Sequence, residues 1–409
     1  VFMKKIIALS TVAFLSTTMY ANADMQAQID ELTSKVQKLE KKQKKNTKKI
    51  GSVNALAAKD NIKFDVDFRT SYDNLQYETA SGKKYSNDAL YSNRLWLGMG
   101  YAPTSTMVFK GQLAYNKAFG ASANNGATGY PQRGYGFDAF DWVSSEALND
   151  DKLRVREAYW LWMPTVGDFP LTFSVGRRPS TNGYLTNLRE DDAQAKSPLG
   201  HVINMEFDGA SASIGFDKYV SGMNFKICLG RGLTNAKSWA NQADYSTQIN
   251  MNAPTSPSYI EEDGALDTVD MLGFIFVPYD DGQYAVKTTW YRGFNVPGLA
   301  YGGLNAAGNN VMALKTVGQM DGAAVSFKVD GIGNEINDFL DDTTFFASYA
   351  MSTTHPDEVN THMTGSGPVQ AASMLGSTDD ETGSSIYMGL VMPNLTGGKF
   401  GIEYNQGSK

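Results

Sequence analysis

The sequence predicts an all-β membrane protein: an antiparallel transmembrane β-barrel of at least about 14 strands, and about 14 to 18 when complete, preceded by a short N-terminal α-helical coiled coil. Three observations carry this expectation. Segments of about ten residues, apolar at every second position, recur from Ile62 to the C-terminus. Brief Pro/Gly/Asp turns and long polar loops join them in alternation, and an export signal stands in front of them.

The signal is read over residues 1–23. Lys4 and Lys5 precede an apolar run from Ile6 to Leu15, and Ala21-Asn22-Ala23 supplies small residues for cleavage. That run is too short to span a bilayer, and no later stretch reaches ~18 consecutive apolar residues, which argues against a helical inner-membrane protein.

Residues 24–53 follow a heptad whose seam is Ile29, Leu32, Val36 and Leu39, continued by polar Gln43 and Asn46. Eight lysines between Lys35 and Lys49 make its outer surface basic. The spacing predicts a periplasmic coiled coil that assembles a homotrimer, its lysines facing the carboxylates of peptidoglycan. A solvated amphipathic helix is the plainer alternative. Residues 54–60 form a linker, and 61–409 the barrel.

Within the barrel the alternation predicts strands at 61–72, 91–102, 106–116, 152–163, 170–178, 208–217, 223–231, 268–278, 283–293, 322–331, 342–351, 384–393 and 399–407. The first of them shows the rule. Ile62, Phe64, Val66 and Phe68 interleave with Lys63, Asp65, Asp67 and Arg69, so one face is apolar and the other charged. Long loops are expected at 73–90, 117–151, 179–207, 232–267, 294–321 and 352–383. An odd number of strands leaves an open edge, so the reading also expects a C-terminal truncation that removes at least one further strand.

The 40 glycines and the 21 Tyr, 21 Phe and 6 Trp suit a barrel with bent backbones and aromatic girdles. Cys228 stands alone, which excludes an intrachain disulfide framework and reads as a small filler on the lumen face.

The lysine-rich heptad, the strand Leu153-Arg154-Val155-Arg156-Glu157-Ala158-Tyr159-Trp160 and the strand end Phe173-Ser174-Val175-Gly176-Arg177-Arg178-Pro179 resemble a family of uncharacterised porin-like outer-membrane β-barrel proteins of epsilonproteobacteria with an N-terminal coiled coil. The resemblance implies a channel-like barrel in the outer membrane of a Gram-negative bacterium, and it carries over no substrate site.

Parity alone then places Lys63, Arg69, Arg94, Lys110, Arg154, Arg156, Lys226 and Lys287 on the lumen face, with Arg177 and Arg178 at a strand end. A cationic ladder of this kind lowers the barrier for anions. The alternative is that these groups pair with carboxylates and brace the wall. Glu157 breaks the pattern, because it shares the outward parity of Val155, Tyr159 and Leu161; a bulge, a protomer contact or a register error would account for it. Tyr159, Trp160, Trp162 and Met163 read as an aromatic belt, with a sugar-stacking platform as the rival.

The long loops carry acidic clusters, among them Glu190-Asp191-Asp192, Glu261-Glu262-Asp263 and Asp379-Asp380-Glu381, which outweigh the basic coil to give a formal charge of -7. Solvated acids are the plain reading; calcium or magnesium bridges to lipopolysaccharide phosphates are the sharper one.

Catalysis finds little support: no HExxH or GxSxG pattern is present, and His201, His355 and His362 all fall in expected loops. No cofactor and no nucleic-acid partner is expected. The functional expectation is a passive, mildly anion-selective diffusion channel, with a plugged barrel tethering the outer membrane to peptidoglycan as the alternative.

Overall fold

The computed structural model describes residues 62–79, 81–120, 153–189, 195–234, 267–304, 308, 310–333, 336–357, 361–364, 367–370, 375 and 379–408. The signal, the coiled coil with its seam Ile29, Leu32, Val36 and Leu39, the linker, and the acidic clusters at 190–192 and 261–263 lie outside them.

The strands are β1 (Lys63–Glu78), β2 (Lys84–Thr104), β3 (Met107–Ala118), β4 (Arg154–Trp162), β5 (Thr165–Val166), β6 (Phe169–Ser180), β7 (Gly183–Tyr184), β8 (Lys196–Leu199), β9 (Met205–Gly215), β10 (Asn224–Leu233), β11 (Val269–Asp280), β12 (Tyr284–Leu304), β13 (Asn310–Asp330), β14 (Thr344–Pro356), β15 (Thr361–Thr364), β16 (Gly367–Gln370), β17 (Glu381–Pro393) and β18 (Lys399–Gly407). Two one-turn helices, α1 (Thr186–Arg189) and α2 (Asp338–Asp341), complete the set.

One antiparallel sheet of 14 strands runs β1-β2-β3-β4-β6-β9-β10-β11-β12-β13-β14-β17-β18, with β5 added to β6. Its path contains the thirteen expected spans in the expected order. The sheet curls around one inserted segment, which touches β4 through Glu157 and β18 through Glu403, without closing between β1 and β18 among the described residues. Among the described residues β1 and β18 each pair on one side only.

Two expected loops are strand instead. Residues 73–90 continue the β1–β2 hairpin up to the pairs Tyr77↔Tyr85 and Glu78↔Lys84, and 294–321 continue β12 and β13, each 21 residues long. At ~3.4 Å per residue such strands extend well past a ~25 Å apolar band. Above that band neither face needs to be apolar, so the alternation that marks a spanning strand disappears while the ladder persists. The loop 352–383 likewise begins as strand, since β14 runs to Pro356, and it carries the hairpin β15–β16.

Outward side chains form a continuous apolar surface: Phe64 is 63% exposed, Val66 67% and Val175 60%. Such a surface facing water would be costly, whereas facing lipid it is favourable. Along its long-loop end runs a row of charges in register, Arg177↔Asp208↔Arg231↔Asp270 on β6, β9, β10 and β11. Arg292 and Asp321 continue it on β12 and β13 at 3.5 Å, and His355 on β14 reaches Asp321 at 2.8 Å. Parity had put Arg177 inside with Arg178. Arg178 is inside, over the Tyr159 ring, but Arg177 belongs to the outer row, where it meets Glu206 and Asp208.

A bulge resolves Glu157. The β3–β4 register jumps between Gln112↔Glu157 and Leu113↔Val155, leaving Arg156 as the extra residue. Both Arg156 and Glu157 therefore turn inward, 2% and 5% exposed. The same slip reverses parity below the bulge: Tyr159 and Leu161 face the lumen, and Trp160 and Trp162 face out, stacking against Phe109 and Phe173. Opposite Tyr159, Gly176 adopts φ +126, and a Cβ there would lie 2.2 Å from the Ala158 carbonyl oxygen, so glycine is required.

Candidate functional site: a segment folded into the barrel

The segment 181–204, between β6 and β9, is the most distinctive feature of the interior. Polar loops ordinarily stay at the surface. This one carries Tyr184, Leu185, Leu188, Leu199, Val202 and Ile203, and burying them on an inner wall offsets the entropy of ordering the chain. Its backbone turns sharply at Asn182 (φ 51) and Leu185 (φ 75). A leucine in the left-handed region costs about 1–3 kcal/mol, which Leu185, completely buried, recovers by packing. The short parallel pair β7–β8 and α1 close the segment into a compact plug.

The opposing wall fits it. Against the plug β12, β13 and β14 present the small Ala285, Ala324 and Ala350, and Phe346 and Tyr387 frame it. Polar contacts fix the register. The Leu199 backbone N–H donates to Thr289 Oγ1 at 3.3 Å, and His201 sits between Ser348 Oγ (2.9 Å) and Ser385 Oγ (2.7 Å). Burial lowers the His201 pKa, so the ring is neutral at physiological pH.

At the plug tip Arg189 donates from Nε and Nη2 to Glu403 Oε2, at 3.1 and 2.8 Å, while the Tyr387 hydroxyl donates to Glu403 Oε1 at 3.0 Å. The Glu403 hydrogen bond pushes the Arg189 pKa upward. Lys287 lies 3.9 Å from the Tyr184 ring centre and 3.5 Å from Asp280.

Across the lumen the plug is tied to β4. Lys196 donates to Glu157 Oε1 at 2.8 Å, and Arg156 donates to Gln112 Oε1 at 2.7 Å and to Thr181 Oγ1. Arg94 and Arg156 both stack on Trp96, 3.6 and 4.1 Å from its ring, and Arg94 also pairs with Asp67 at 2.6 Å.

The eight parity-derived lumen residues thus divide. Arg156, Lys226 and Lys287 are covered by plug and wall: Lys226 lines a 30 Å³ cavity with Cys228, Pro198 and Ile203. Lys63, Arg69 and Lys110 are exposed, and Arg94 and Arg154 are half-buried. Alternation could not foresee the plug residues; the signal available was a run of large apolar side chains inside an expected polar loop.

Below the plug, Asn187 and Leu188 share a chamber of about 870 Å³ with Gly282, Asp342 and Gly398 of the short turns, so the segment reaches down to the short-turn mouth. Asp379-Asp380-Glu381 is the acidic cluster within the described residues, and Asp380 accepts from His355 at 3.3 Å. Among the described residues no three His, Cys, Asp or Glu converge as metal ligands.

Several solved structures are similar to this chain. Salmonella typhi OmpF, determined with daunomycin, is 12% identical, with 84% of this chain and 89% of that one covered and a TM-score of 0.37. Pseudomonas putida OprB is 10% identical over 84% and 89%, TM-score 0.36. In-vitro folded OmpT of Vibrio cholerae is 12% identical over 85% and 87%, TM-score 0.33. No curated relative matches the chain. Residues 84–409 match the family model described as "Protein of unknown function (DUF3373)", and the chain belongs to that family.

Proposed function

We propose that the protein is an outer-membrane porin of a Gram-negative bacterium, a water-filled passage for passive diffusion of small solutes with a mild preference for anions. The observation that carries this reading is the two-faced sheet around a one-sided plug. Its outside is apolar and exposed, its inside is charged, and the plug rests on β12 to β17 while the inward Lys63, Asp65 and Arg69 of β1 and Lys110 of β3 stay exposed. Along this side of the sheet the inward Lys63, Arg69, Arg94, Lys110 and Arg154 stand against Asp65 and Asp67, an excess of positive charge that favours anions. The N-terminal coil fits a periplasmic homotrimerisation element.

The full-depth reach of the plug favours a second reading, a closed barrel whose basic coil fastens the outer membrane to peptidoglycan. Single-channel conductance of the full-length protein in a planar bilayer, with the reversal potential under a salt gradient, separates the two. Stable steps with anion preference are expected. A folded, heat-modifiable barrel that never conducts would reject the channel, and conduction with cation preference would reject only its selectivity.

A further inference from the structure

The outer face carries a trough at β6, β9 and β10 that the channel reading does not use. Its floor is Ala210 and Ala212 on β9, in register with Val175 and Phe173 on one side and Leu229 and Ile227 on the other. Two small side chains between two rows of large ones leave an apolar groove of about 660 Å³, extended by Trp160 and Trp162. One residue-pair above the alanines sits the row Arg177↔Asp208↔Arg231. Arg231, 54% exposed, meets Asp270 through Nε (2.7 Å) and Nη2 (3.0 Å). A guanidinium has five N–H donors in a planar fork, a geometry matched to phosphate.

The groove is one strand wide, open to the side, and apolar along its walls apart from Ser174 and Ser211, which suits a single extended hydrocarbon chain. The charges stand at its long-loop end, where the outer leaflet's headgroups lie in a porin orientation. We propose that this trough holds one acyl chain of the lipid A anchor of lipopolysaccharide, with a lipid A phosphate on Arg231. The inference rests on reading this face as membrane-embedded.

The test is native mass spectrometry of the full-length protein, reconstituted in vesicles and extracted, with diphosphorylated lipid A, phosphatidylglycerol and uncharged diacylglycerol as probes. Wild type is expected to retain lipid A. Ala212→Trp fills the trough from the lipid side without touching the lumen, and it should reduce retention by about tenfold, equivalent to losing ~1.4 kcal/mol of contact. Arg231→Gln should reduce lipid A but leave diacylglycerol unchanged.

Equal retention by wild type and both variants overturns the proposal, as does a preference for phosphatidylglycerol. An Ala212→Trp protein that changes oligomeric state with unchanged lipid counts overturns it in favour of a second copy of the chain in the groove. Failure of every variant to enter vesicles overturns the membrane reading and this site with it, whereas insertion and conduction with unaltered lipid retention overturns the site alone.

Discussion

The inner faces of β1 and of β12–β17 obey the same alternation and serve opposite ends. On β12, β13 and β14 the inward residues are Ala285, Ala324, Phe346 and Ala350, buried under the plug as in the core of a soluble protein. On β1 the inward Lys63, Asp65 and Arg69 are exposed and Asp67 is half-buried. Parity decides which way a side chain points, but what waits there depends on where a distant segment lands. The same barrel therefore contains a dry half that sets stability and a wet half that sets permeation.

Removing the plug should break this contrast most. Replacing residues 183–200 with a short Gly/Ser linker would expose the apolar strip of β12 to β14 and is expected to raise single-channel conductance several-fold. An unchanged conductance would mean that the plug does not limit the passage. Next in size is Phe346→Ala, which opens a cavity under the plug and should cost about 3–5 kcal/mol in denaturant unfolding of the reconstituted barrel. Lys63→Ala on the wet wall should change stability by less than about 0.5 kcal/mol. Comparable losses from the two would erase the distinction between the halves.

Most of the frame was legible in the sequence. The thirteen spans follow from alternation, and so do the faces of β1, because one face meets apolar surroundings in every spanning segment. What alternation cannot register is a change of phase. The extra residue Arg156 places Arg156 and Glu157 on the same side, and the resulting Arg156–Gln112 and Lys196–Glu157 contacts convert an apparently misplaced carboxylate into an anchor for the plug. The upper halves of β1, β2, β12 and β13 were invisible for another reason: their ladders are held by backbone hydrogen bonds above the apolar band, with no burial pattern to betray them. The plug was partly legible, since Leu185, Leu188 and Leu199 are out of place in a solvated loop, but its landing wall is contributed by strands 90 to 214 residues away.

The wet wall should be sharpened by charge. Arg154→Glu together with Lys110→Glu is expected to move the reversal potential toward cation preference while leaving unfolding little changed. Arg156→Gln should do the reverse, loosening the plug through the lost Gln112 and Thr181 contacts with little direct effect on selectivity. If Arg156→Gln alone reversed selectivity, the buried guanidinium would have to be reassigned to the permeation path.

The smallest effect expected is a pH dependence at His201. A neutral imidazole has one donor and one acceptor nitrogen, and the hydroxyls of Ser348 and Ser385 satisfy both. Burial lowers its pKa in the folded protein, so the unfolded chain binds the proton more readily. The stabilisation is then fully present above the ordinary histidine value of ~6.5 and is lost as pH falls through the lowered folded value. The Tyr387 ring stands 5.6 Å from His201, and its hydroxyl already serves Glu403 in the Arg189 pair, so protonation leaves an added charge against the plug's own anchoring wall. Unfolding of the wild type should become easier between about pH 7.5 and pH 5, and the His201→Phe protein should lose that part of the slope. Parallel curves for the two proteins would show that His201 does not carry the acid sensitivity.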